Sequence, residues 1–153
     1  MGNVNFTVSN SGGFPSGASN VKIPVLIERV IDLSTKTIAA SDVLQSLSLP
    51  AESVVLAAGA EVKSAMTGTS TDATATVKVG STAFSAALDF DAAAAGAYTV
   101  ASAVTPVIST AASTVDVVLN AFTGTITGGK LRVFALVLDV QDAKKPGLAQ
   151  LKS

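Results

Sequence analysis

The chain has 153 residues, of which 48% are hydrophobic and 14% charged, and it contains no cysteine, histidine or tryptophan. These absences exclude a disulfide framework, a thiolate nucleophile, a cysteine metal site and a histidine proton shuttle. Ten basic and eleven acidic residues give a net charge of −1, without the basic cluster that nucleic-acid binding requires. The composition therefore predicts a single-domain, non-enzymatic protein with no cofactor, no metal, no small-molecule substrate and no nucleic-acid partner.

Residues 1–20 predict an extended N-terminal arm, because Gly, Asn and Ser dominate and only four apolar side chains interrupt them. The alternation of Val4, Phe6 and Val8 is typical of an edge strand, added either to the parent domain or to a neighbouring protein. A disordered tail is the alternative. We take four residues as candidate partner-binding residues: Val4, Phe6, Val8 and Phe14.

The same N-terminal stretch lacks the charged and apolar regions of a secretory signal. The longest strongly apolar stretch, residues 133–138, is far shorter than the roughly 18 residues of a transmembrane helix. We therefore expect synthesis in the cytoplasm and no membrane partner.

Residues 21–143 predict a β-domain, and residues 144–153 a C-terminal tail of loop composition. The first strand is expected in residues 22–33, where Pro24 suits a strand start or a sheet edge. Glu28 and Arg29 are adjacent in it and should point to opposite faces, so we do not expect them to pair with each other.

One short helix is predicted at residues 41–47. Ser41 or Asp42 is a suitable N-cap, and Val43, Leu44 and Leu47 have helical spacing before Pro50 ends the segment.

The remaining segments are rich in Val, Thr and Phe and are separated by Gly, Ser, Thr and Asp, which predicts strands. Turn signals every 8 to 15 residues or so favour an all-β sandwich, jelly roll or barrel over βαβ units. Residues 131–140 are the longest and most apolar, and predict a central strand buried on both faces. The predicted strands are residues 52–57, 60–66, 73–79, 83–90, 98–104, 114–120 and 130–140.

Residues 124–130, GTITGGK, have the spacing of a phosphate-binding loop. That loop needs Ser or Thr after the lysine and a helix after the loop. Leu131 and a predicted strand follow instead, so we interpret the glycine pair as a hairpin turn.

Asp89 and Asp91 have the two-residue spacing that puts both carboxylates on one strand face, an arrangement able to bind a hard cation or perform acid–base chemistry. The pair lacks the ligand count of a calcium loop, and a solvated strand end is the favoured interpretation. Three further aspartates are assigned the possible role of cross-strand pairing with Lys63, Lys78 or Arg132. They are Asp72, Asp116 and Asp139.

Five segments carry a family resemblance through their order in the chain. They are IPVLIERVIDLS (23–34), LAAGAEVKSA (56–65), TATVKVGST (74–82), TVDVVLNA (114–121) and GGKLRVFALVLDV (128–140). This succession resembles small structural proteins encoded beside capsid genes in tailed bacteriophages, and is similar to head decoration, or cement, proteins. The resemblance implies a β-sandwich or jelly-roll domain that trimerises over capsid threefold positions, with the major capsid protein as partner and the capsid surface as location.

The composition agrees with that expectation. A high mean hydropathy without a membrane segment predicts that apolar, small-residue surface is buried between copies. Two alternatives stay open: a tail or neck component of a phage, and a fimbrial or surface-layer subunit. An enzyme or a ligand-binding barrel ranks last.

Overall fold

The computed structural model describes residues 3–5, 24–91, 93–100 and 105–140, and these residues form a β-sandwich. The first sheet has the order β1–β3–β10–β5–β6, with β7 also paired to β5, and the second has the order β2–β11–β4–β8, with β9 also paired to β4. The first sheet contains β1 (Asn3–Asn5), β3 (Val43–Leu49), β5 (Thr74–Val79), β6 (Thr82–Ala83), β7 (Leu88–Asp89) and β10 (Ser113–Leu119). The second contains β2 (Val25–Asp32), β4 (Ser53–Gly68), β8 (Tyr98–Val100), β9 (Val107–Ser109) and β11 (Ile126–Asp139).

The core lies between the two sheets because every second residue of the long strands points inward. On β10, Val115 and Val117 are fully buried, and on β11 the same is true of Leu131, Val133 and Ala135. Each fully buried valine or leucine side chain contributes roughly 1.5–3 kcal/mol relative to exposure. This packing confirms the predicted all-β sandwich.

The predicted helix at residues 41–47 is wrong. Ser41 adopts a left-handed φ of 64°, the Asp42 carboxylate accepts a hydrogen bond from the Ala39 amide at 2.8 Å, and β3 begins at Val43. A β-bulge explains the misleading spacing: Gln45 pairs with Asp116 and Leu47 with Val115, so one residue of β3 is extra. The bulge turns Leu44 and Leu47 towards the same core, three residues apart as in a helix. The one helical turn in the described residues is a 3-10 turn, Leu33–Thr35.

Three strand predictions change as well. Residues 52–57 and 60–66 form one strand, β4, and most of residues 83–90 lie outside strands, between β6 and β7. The 131–140 strand is central as predicted, since β11 lies between β2 and β4. Only its inner face is fully buried, because Arg132, Phe134 and Leu136 remain half-buried on the outer face.

Strand β1 pairs in parallel with the edge of β3, with Asn3 opposite Val43 and Asn5 opposite Gln45. Residues 3–5 therefore add an edge strand to their own domain, which for these residues is the first of the three alternatives that the sequence left open.

Candidate assembly surface

The outer face of the second sheet carries all five large apolar side chains that are strongly exposed among the described residues. Strand register places them on this one face, because directly paired residues of neighbouring strands project to the same side. Leu26 and Val30 lie opposite Leu136 and Arg132 of β11. We call the five residues the apolar patch; with their exposed fractions they are Leu26 (55%), Val30 (51%), Tyr98 (72%), Val100 (41%) and Ile108 (66%).

The middle of the same face is also apolar. Phe134 lies opposite Gly59 and Leu136 lies opposite Ala57, while Leu138 lies opposite Val54, which in turn pairs with Ile108. Phe134, Leu136 and Leu138 follow one another at every second position of β11, and this stretch is about 14 Å long at 3.4 Å per residue. Contiguous exposed apolar surface of this kind marks interaction sites on soluble proteins.

A row of charges crosses the same face between Val30, which lies opposite Arg132, and Tyr98, which lies opposite Glu61. Arg132 donates from Nε to Glu28 Oε2 at 2.9 Å, and its Nη2 contacts the same oxygen. On the other side, Arg132 Nη1 donates to Glu61 Oε2 at 3.0 Å, and Lys63 Nζ donates to Glu61 Oε1 at 2.9 Å. Hydrogen bonds from Lys63 and then Arg132 lower the pKa of Glu61, and the hydrogen bonds that Arg132 donates to Glu28 and Glu61 raise the pKa of Arg132. Both shifts favour the charged form of the group, the carboxylate of Glu61 and the guanidinium of Arg132.

Gly59 of β4 allows side chains of the neighbouring strands β11 and β8 to pack closely over it. A Cβ atom at this position would lie 2.5 Å from the Thr99 carbonyl oxygen, 2.7 Å from Phe134 Cζ and 2.9 Å from Val100 Cγ2. The Phe134 ring therefore lies over the bare glycine backbone, in the way that aromatic side chains cover strand glycines. The Arg132 guanidinium is 5.7 Å from the centre of that ring, a cation–π distance.

The four residues proposed from sequence as partner-binding lie in or beyond β1. Val4 is in β1, where its backbone pairs with Leu44. Phe6, Val8 and Phe14 lie outside the described residues.

The Asp89 and Asp91 carboxylates have different surroundings. Asp89 is exposed on β7 and pairs with Thr74. Asp91 accepts hydrogen bonds from Ser70 Oγ at 2.6 Å and from the Ala73 amide at 2.5 Å. These bonds fix the loop before β5, so Asp91 has a structural role. Within the described ranges, no group of three or more acidic, histidine or cysteine side chains is placed to hold a metal ion.

The glycine pair of GTITGGK is not a hairpin turn. Gly128 and Gly129 lie inside β11, where its pairing with β4 shifts register twice. A Cβ on Gly129, whose φ is 118°, would lie 2.9 Å from Met66 Cα. The glycines thus form a bulge against β4, and the segment continues as a strand instead of opening a phosphate-binding helix.

Arg132 pairs across strands with Glu28 and Glu61, and Lys63 pairs with Glu61 of its own strand, instead of with the proposed aspartates. Glu28 and Arg29 do not pair with each other, as predicted, because they project to opposite faces. Asp116 lies directly opposite Lys78, but the ion pairs found among the described residues do not include them.

Sequence reasoning missed the apolar patch. Its members come from β2, β8 and β9, and only the pairing of these strands with β11 and β4 brings them to one face. The one local signal is the alternation Leu26, Glu28, Val30, in which apolar residues share a strand face with a charge. Long apolar helices able to cross a membrane do not occur in the part of the chain that the structure describes.

No protein-family model and no curated protein matches the chain. Chains in solved capsid structures share its fold. One, in the capsid of Ralstonia phage GP4, is 18% identical with a TM-score of 0.58, and the match covers 90% of this chain and 97% of that chain. Another, in the cyanophage Pam1 capsid asymmetric unit, is 17% identical with a TM-score of 0.56, covering 88% and 98% respectively. At these identities the likeness concerns the fold.

Proposed function

We propose that the protein is a structural, non-enzymatic virion protein of a bacteriophage, which binds the outside of the capsid as a trimer and stabilises the shell. The observation that carries this proposal is the fold likeness over 90% of the chain to a chain of a phage capsid. The major capsid protein is the proposed partner, and the capsid surface is the proposed location after synthesis in the host cytoplasm.

The proposed mechanism is selective binding to the assembled or expanded shell. A protein that binds only one state stabilises that state by RT ln(1 + [L]/Kd), which is about 2.7 kcal/mol per site at a free concentration of 100 Kd. A shell carries many such sites, and the sum of their small contributions gives a large resistance to rupture.

Capsids prepared without the protein provide the test. The purified protein should co-sediment with them, and decorated capsids should rupture at a higher temperature and at a lower ionic strength than bare ones. Unexpanded shells are the matched control and should bind less. Co-sedimentation with isolated tails instead of heads would contradict the proposed location, and unchanged rupture of decorated capsids would contradict stabilisation.

The domain division extends the proposal: residues 1–20 form an arm that contributes to attachment, residues 21–143 form the β-domain, and residues 144–153 form a tail. Deleting residues 2–20 should weaken capsid attachment and leave the β-domain folded. Because the deletion also removes β1, the variant Phe6→Ser/Phe14→Ser, which spares residues 3–5, should weaken attachment in the same direction. Deletion of residues 144–153 is the control. Unchanged attachment of both arm variants would refute this role.

A further inference from the structure

The apolar patch has a feature that restricts its partner: the charges beside it neutralise one another. Glu28, Arg132, Glu61 and Lys63 form one connected row, and Asp32 pairs with Lys130 at 3.7 Å at the end of the same face. Three acidic and three basic side chains leave no net charge. A surface fitted to a partner of opposite charge carries an excess of one sign, and this face has none.

We infer that the apolar patch binds a second copy of this chain. Two copies of a charge-neutral face meet without like-charge repulsion, and the net charge of the whole chain is only −1. The charged groups are already paired within each copy, so association leaves none of them without a partner, which is the main cost of burying charges in an interface. This inference deepens the self-association in the proposed function and rests on it for its biological setting.

The distribution of the patch fits contact between copies. Leu26 and Val30 lie on β2 at one edge of the sheet, whereas Tyr98 and Ile108 lie on β8 and β9 at the opposite edge. Exposed large apolar side chains therefore lie at both edges of the sheet, on either side of the half-buried Phe134. Tyrosine is enriched in interfaces because it combines a large apolar area with a polar end.

The test measures the mass of the free protein in solution by light scattering over a range of micromolar concentrations, in the absence of capsids. The wild type should be an oligomer. Tyr98→Glu and Ile108→Glu should each weaken self-association by roughly 100-fold, because each introduces an unpaired carboxylate into the contact. Both side chains are mostly exposed in the monomer, so circular dichroism and thermal unfolding should show an intact fold. Ser48→Glu, exposed on the outer face of the first sheet, is the matched control and should stay oligomeric.

Cross-linking supplies a second measurement that introduces no charge. Because the chain has no cysteine, Ile108→Cys and Ser48→Cys each carry a single thiol. A short bis-maleimide should link copies through residue 108 and not through residue 48. A monomeric wild type, or oligomers that survive both glutamate variants, would overturn the inference. If the wild type is monomeric but the glutamate variants lose capsid binding, the patch faces the shell, and the proposed function stands while this inference fails.

Discussion

The outer faces of the two sheets differ in the polarity of their side chains, although the inner faces of both sheets pack into the same core. The face of the first sheet carries Thr74, Thr76, Gln45 and Ser48, which are short or uncharged polar side chains. The face of the second sheet carries the apolar patch. Since both sheets bury their inner faces equally well, the apolar outer face is not needed for the core. The exposed large apolar side chains therefore make the second face the candidate interaction surface of the sandwich.

The charges of the two faces differ in the same way. On the second sheet Arg132 is paired on both sides, with Glu28 and with Glu61. On the first sheet, Asp116 has a buried Oδ1 atom without a hydrogen-bond partner in the described structure. Burial raises the pKa of the Asp116 carboxyl, and a hydrogen bond from Thr114 offsets part of this effect. The outer face of the second sheet thus carries both the apolar patch and charged side chains that form ion pairs with one another.

The largest loss of stability is expected from Gly59→Ala, which disrupts the close packing on the outer face of the second sheet. The added methyl group would overlap the Thr99 carbonyl oxygen and the Phe134 ring, and overpacking of this kind costs typically 1–3 kcal/mol. We expect a loss near the upper end, about 3 kcal/mol, because one of the contacts is with the backbone. Urea unfolding followed by circular dichroism measures it.

Gly80→Ala is the matched control for that variant. Gly80 has a φ of 58° and no atom within 4 Å of a Cβ position, so alanine there tests backbone strain alone, at about 1 kcal/mol. If the two variants lose equal stability, the Phe134–Gly59 contact has no special part in the second face.

The same contrast explains what could be predicted from sequence. Strand β11 was recognisable because its apolar run is long and continuous, and β5 and β10 because buried and outer residues alternate without interruption. Strand β3 was misread because one bulge changes the spacing of its buried leucines from two to three. The bulge arises from the pairing of β3 with β10, which is about 70 residues away in the chain. The sequence around β3 alone therefore does not predict it.

The candidate site was less predictable than the fold for a related reason. An exposed tyrosine or isoleucine is ordinary when it stands alone. Tyr98 and Ile108 gain significance only because β8 and β9 both pair with β4 and so share a face with Leu26. Composition indicated that apolar surface would be exposed, but pointed to small residues, whereas the most exposed apolar side chains are large. The arm residues Phe6, Val8 and Phe14 remain a prediction.

An intermediate effect is expected from Asp116→Asn, which removes the unsatisfied charge of the first face. The variant should be more stable than the wild type at pH 7, by about 1 kcal/mol, because the ionised carboxylate is half-buried and one oxygen lacks a partner. Asp72→Asn, at an exposed turn position, is the control and should leave stability unchanged.

The pH dependence of this difference has a defined sign. The folded pKa of Asp116 is raised, so the folded state holds this proton more tightly than the unfolded state does. The wild type therefore loses stability as pH rises from the unfolded value, near 3.9, through the folded value, and the loss is constant above it. The free energy of unfolding of Asp116→Asn should equal that of the wild type below pH 3.9. It should exceed the wild-type value by the full difference above the folded pKa of Asp116. A variant advantage that is equal at all pH values would exclude ionisation as its cause.

The smallest effect on stability is expected from Arg132→Met, which leaves Glu28 without its ion-pair partner and Phe134 without the guanidinium over its ring. Exposed ion pairs contribute little to stability, so the thermal midpoint should fall only slightly at pH 7 and low salt, and less at high salt. Because the folded pKa of Glu61 is lowered, its contribution exists above the unfolded value and is lost as pH falls through the folded one. The difference between variant and wild type should therefore shrink in acid.

Lys130→Met is the control for that variant, since it removes only the single, longer contact to Asp32 and should change the midpoint still less. Self-association should separate the two variants more clearly than stability does. Arg132→Met leaves Glu28 unpaired beside the apolar patch, and burial of that carboxylate between copies would cost far more than its exposure in the monomer. A variant with a nearly normal midpoint but a weakened oligomer would show that the charge row neutralises an interface. Equal self-association of Arg132→Met and the wild type would show that the row lies outside the contact.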